Sequence, residues 1–138
     1  MSLASMLIAA SGAILLVLGF IHVVITYSGR LLLPRDRALR ERMEAVSPVI
    51  SLETTMWRTW QGFNASHGLG VMLFGVVYID LALGNPGLLA QDVVLQGIGL
   101  AWSLAWVLLA FRHWFSVPQA GTALAALLYA AGLVALHA

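Results

Sequence analysis

Four stretches of this chain are each long and apolar enough to cross a bilayer, which leaves few folds open. A helix needs about 20 mostly apolar residues to traverse the hydrocarbon core. The segments run from about Leu3 to Tyr27, Met56 to Leu83, Asp92 to Phe115 and Val117 to His137. Over 138 residues, 61% are hydrophobic and 9% charged, against about 25% charged in soluble domains. Mean hydropathy is +0.92. The expected fold is an all-α integral membrane domain, a four-transmembrane-helix bundle spanning residues 1–138.

The punctuation agrees. "GNPG" at 84–87 reads as a turn after the second span. Pro118 falls in the first turn of the fourth, where no N–H is needed. The third and fourth spans are joined by almost nothing, so they should form an antiparallel hairpin. The N-terminal run lacks a positive leader and exceeds the ~7–15 residues of a signal-peptide core, so it reads as a retained helix.

All seven basic residues are arginines. Arg30, Arg35, Arg37, Arg40, Arg42 and Arg58 lie between the first two spans or at their ends, and Arg112 ends the third. In a four-span chain those ends share one side, and the other side carries Asp80 and Asp92. The positive-inside rule then predicts outside termini, with the 1–2 loop and the 3–4 turn in the cytoplasm. A net charge of +1 is too small for a nucleic-acid surface. Cysteine is absent, so disulfides and thiolate metal sites are excluded.

Within the 1–2 loop, "PRDRALRERMEAVSP" predicts a short amphipathic surface helix over about 34–47, opened by Pro34 and ended by Pro48. Asp36–Arg40, Arg37–Glu41 and Arg40–Glu44 are expected i,i+4 ion pairs.

The second span opens with "WRTWQGFNASHGLG", residues 57–70. At roughly 100° per residue, Glu53, Trp57, Trp60, Asn64, His67, Val71 and Tyr78 share one sector. Gly62, Ser66 and Gly70 lie nearly opposite as a small-xxx-small stripe, a candidate homo-oligomer contact. "NAS" at 64–66 matches a glycosylation acceptor, but it falls inside a span on the cytoplasmic half. Polar residues at depth face a bundle interior or a cavity and often mark function.

Ser11, Gly12, Gly19, His22, Thr26 and Gly29 gather on one face of the first span. His22 is eight residues from Arg30, and His67 is nine from Arg58. Both histidines are therefore expected about 12–14 Å from arginines at the same interface. On the third span, Gly99, Trp102, Trp106, Leu109 and His113 share a face, and Trp106 is expected about 9 Å deeper than His113. The fourth span reads as close packing, with Gln119 and Thr122 near the cytoplasmic cavity. His137 reads as a plain terminal residue.

The candidate site is thus a cytoplasmic-half cavity. His22, His67 and Asn64 would be the chemical groups, with Trp60, Trp106, Tyr78, His113 and Arg112 contacting a ligand. Such an apolar pocket with a few fixed polar groups suits a small apolar or lipid-like molecule, transformed by histidine acid–base chemistry. One alternative is a structural or accessory membrane protein without a ligand. Another is a bis-histidine haem b protein for electron transfer. A non-haem metal site would want a third ligand, and the nearest acid, Glu53, is roughly 16 Å along the helix from Asn64. A transporter would show an internal repeat, and none is evident.

In size, span number and topology the chain is similar to the small glutathione- and eicosanoid-metabolising membrane enzymes. Those carry an Arg/Asn/Glu constellation along the second span. Here Asn64 is flanked by Trp60 and His67 and the charged positions are absent. The resemblance therefore implies architecture, and neither residues nor activity carry over.

Overall fold

A computed structural model describes residues 1–28 and 30–138, so Gly29, placed above on the polar face of the first span, lies outside the described residues. Six α-helices and no strand are found among them: α1 (Leu3–Ser28), α2 (Arg37–Ala45), α3 (Met56–Leu83), α4 (Pro86–Gln91), α5 (Val93–His113) and α6 (Ser116–His137). Of these, α1, α3, α5 and α6 are long and apolar enough to span a membrane.

The differences from expectation lie at helix ends. The "GNPG" turn is brief: Gly84 N and Asn85 N close α3 by donating to Asp80 O at 2.7 and 3.1 Å. Pro86 then starts α4, because its fixed φ suits a first helical position. Asp92 caps α5, its carboxylate accepting from Val94 N and Leu95 N at 2.9 and 3.0 Å. The third span stops at His113 rather than Phe115, since Trp114 and Phe115 are extended and together form the hairpin turn.

The chain divides into two compact units. The first comprises Met1–Leu18 and Val71–Ala138. Its core joins Ile8 and Leu15 of α1, Phe74 and Tyr78 of α3, Trp106 of α5, and Ala125 and Tyr129 of α6. Small residues let these helices approach. A Cβ at Gly75 would run into backbone atoms of Gly12 and Leu16, a contact that only glycine allows. Ser11 Oγ donates to Ala125 O at 2.7 Å, tying α1 to α6. The distribution of polarity is inverted relative to a water-soluble protein. Ser11, Ser103 and Thr122 are buried, while Leu108, Leu127 and Val134 are 64%, 68% and 71% exposed.

The second unit is Gly19–Gly70: the end of α1, the connecting segment with α2, and the first half of α3. Here α1 meets α3 at Gly68, where a Cβ would lie 2.6 Å from Val23 Cγ2 and 3.1 Å from Gly19 O. Within the chain the close approach therefore runs through Gly68, and Gly62 and Gly70 of the stripe take no part in it. A Cβ at Gly62 or Gly70 meets nothing within 4 Å among the described residues. The α2 helix is shorter than expected, and Asp36 does not pair with Arg40. It serves as N-cap instead, accepting from Ala38 N at 2.9 Å, because an unmet N–H at a helix start outcompetes an exposed ion pair. Arg37–Glu41 and Arg40–Glu44 form as expected, each at 2.9 Å.

Candidate functional site

Three of the sequence-derived site residues come together in the second unit. His22 Nε2 donates to Asn64 Oδ1 at 3.2 Å. The imidazoles of His22 and His67 are in contact, with centroids 4.9 Å apart and planes tilted by 56°. All three residues are half-buried. Their register follows from the helices. Asn64 and His67 are three residues apart on α3, and so share a face. Gly19 precedes His22 by nearly one turn and accommodates α3 at Gly68.

The hydrogen bonds also fix orientation. Asn64 Nδ2 donates to Trp60 O at 2.8 Å, which turns Oδ1 toward His22. His22 then carries its proton on Nε2, and in the neutral ring Nδ1 is left with the lone pair. The Trp60 contribution is thus partly its backbone carbonyl. Its indole stacks on Trp57, centroids 5.0 Å apart and planes 21° from parallel. The Arg40 guanidinium sits 4.9 Å above the Trp57 ring, a cation–π contact joining α2 to the start of α3. At the other end, Thr26 Oγ1 donates to His22 O at 2.7 Å.

The other expected ligand contacts belong to the first unit. Trp106 is buried beside Trp102 and Trp114, at centroid distances of 6.0 and 5.7 Å. Tyr78 is buried against Tyr129 edge to face, and its hydroxyl donates to Leu95 O at 2.7 Å. Arg112 and His113 are exposed in the last turn of α5, where positive charge complements the helix dipole. Gln119 closes the α5–α6 turn through Trp114 O at 2.8 Å. Thr122 bonds back to Pro118 O of its own helix. In both cases a local backbone acceptor takes the polar group that the sequence had suggested for a cavity.

A second polar cluster was missed. Buried Gln96 donates Nε2 to Leu89 O at 2.8 Å, and its Oε1 accepts from His137 Nε2 at 2.8 Å. Tyr129 OH adds a bond to Gln96 O at 3.3 Å. The only available signal was a lone glutamine in an apolar span, beside a histidine that looked terminal.

Among the described residues no group of three or more His, Cys, Asp or Glu could hold a metal ion. A bis-histidine haem would need the two imidazoles on opposite faces of a porphyrin. Here the rings touch, and His67 is followed directly by Gly68, the close approach of α3 to α1. That geometry does not fit a haem.

No family model, no curated protein and no solved structure matches this chain.

Proposed function

We propose that this is a multi-pass membrane protein whose His22–Asn64–His67 cluster binds a small apolar or lipid-like molecule and exchanges a proton with it. The termini lie outside, and the 1–2 loop and 3–4 turn lie in the cytoplasm. The membrane reading is supported by four long apolar helices with polar side chains turned in and apolar ones turned out.

The observation that carries the ligand reading is the ring contact between His22 and His67 beside an amide of fixed orientation. An asparagine serving only to join two helices needs one partner. Here two imidazoles and a carboxamide converge between α1 and α3, polar groups of the kind that orient a ligand in a small-molecule site. The ligand's hydroxyl gives its proton to the lone pair on His22 Nδ1. Asn64 steadies the resulting imidazolium through Nε2–H, the same proton returns to the ligand from His22 Nδ1, and His67, in ring contact, holds the His22 imidazole in place.

The test is mass spectrometry of small molecules that co-purify with the protein in mild detergent, comparing wild type with His22→Ala and His67→Ala. One apolar species should be enriched in wild type and lost from both variants while they remain folded. The same bulk lipids in all three would overturn the reading and favour a structural or accessory role, with His22–Asn64 as interhelical glue.

A further inference from the structure

The segment that joins α2 to α3 is closed at its base and apolar at its tip. Met56 N donates to Val46 O at 2.8 Å, so residues 46–56 form a closed loop. Inside it, Ser51 N donates to Pro48 O at 3.2 Å and Glu53 N to Ser51 Oγ at 3.1 Å. Thr55 Oγ1 accepts from Arg58 N at 3.3 Å where α3 begins. The loop is therefore ordered by its own hydrogen bonds. Yet it presents Val49, Ile50 and Leu52 fully outward, at 108%, 92% and 91% exposure. Single exposed aliphatics are ordinary. Three within four residues, on a loop of fixed conformation, mark a contact surface.

Two features indicate what covers it. The loop begins just after α2 and ends at Met56, the first residue of a candidate span. Five residues separate Ile50 from Met56, so its tip stays within about 20 Å of the helix end. Charge gives the second. Residues 30–58 hold six arginines against four acids, and two of those acids are already paired with Arg37 and Arg40. Such an excess suits anionic headgroups.

We infer that the 46–56 loop is a wedge that inserts Val49, Ile50 and Leu52 into an anionic leaflet, with Arg30, Arg35 and Arg42 on the headgroup phosphates. The inference rests on the reading that α1 and α3 cross the bilayer. The apolar tip occupies the boundary of headgroups and acyl chains, the layer in which surface-seated apolar side chains bury about 5–10 Å deep. Because Arg40 lies over Trp57, one turn before Trp60, the wedge also fixes the surface helix over the start of α3.

The chain has no cysteine, so single-cysteine variants can be read directly. Ile50→Cys, Arg37→Cys and Leu104→Cys would each be reconstituted in vesicles of phosphatidylcholine and phosphatidylglycerol and labelled with an environment-sensitive fluorophore. Leu104 is an outward residue of α5, and Arg37 is an exposed position on α2. The Leu104→Cys label should be quenched by spin-labelled lipid. If it is not, the membrane reading itself fails. With that in hand, the Ile50→Cys label should also be quenched by lipid labelled near the headgroup. Its thiol should react with a water-soluble maleimide about tenfold more slowly than that of Arg37→Cys, the factor set by 1.4 kcal/mol of protection. Quenching should weaken in pure phosphatidylcholine. A water-like Ile50→Cys signal beside a quenched Leu104→Cys would overturn the wedge alone. Protection without lipid quenching would overturn it in favour of a protein neighbour.

Discussion

His22 Nε2 and Asn64 Oδ1, forty-two residues apart in the chain, meet at 3.2 Å between α1 and α3. The bond can be weighed by a double-mutant cycle of His22→Ala and Asn64→Leu, followed by unfolding in detergent. The coupling should be about 0.6–2 kcal/mol, the range for polar contacts between membrane helices. Asn64→Asp, which keeps an acceptor, should retain more of it than Asn64→Leu. Additive single effects would mean that the bond does not form.

The glycines of α3 should divide by what surrounds them. At Gly75 an added methyl meets backbone of Gly12 and Leu16, which cannot rotate away. Gly75→Ala should cost about 1–3 kcal/mol, as overpacking does. Gly68→Ala should cost less, since its nearest obstacle is the side chain of Val23. Gly62→Ala and Gly70→Ala meet open space and should be neutral, or stabilising by up to about 1 kcal/mol through helix propensity. Thermal midpoints of the four variants check the order.

Gln96→Leu should destabilise by about 1–3 kcal/mol, because it leaves Leu89 O and His137 without the amide they bond. His137→Ala, at the exposed edge of the same cluster, should cost less. Hydrogen exchange at the end of α6 should rise in both. An unchanged α6 would show that the cluster does not hold it.

Arg40→Leu removes the cation above Trp57 while keeping an aliphatic side chain. The expected loss is about 0.5–1 kcal/mol, with a change in tryptophan emission. Arg40→Lys should recover part of both. An unaltered spectrum in Arg40→Leu would dismiss the contact in solution.

Purified from cells supplied with a haem precursor, the protein should show no Soret band, because the His22–His67 contact leaves no gap for a porphyrin. A band lost in both His22→Ala and His67→Ala would reverse that conclusion.

Much of this was legible in the chain itself. The positions of the four long apolar helices follow from the lengths of apolar sequence. The meeting of His22 and His67 was expected from helical rise and their matched spacing from Arg30 and Arg58, and the two rings are in contact. Tertiary structure decided the rest, and for one physical reason. Periodicity tells which residues share a face, while the rotation of one helix against its neighbour is set by packing. Thus Gly68 and Gly75 became the points of close approach within the chain. Gln119, Thr122 and Tyr78 spent their polar atoms on nearby carbonyls. Asp36 capped a helix rather than pairing with Arg40. A polar group's partner is whichever acceptor or donor the packed backbone brings within reach, and no single-helix pattern encodes that.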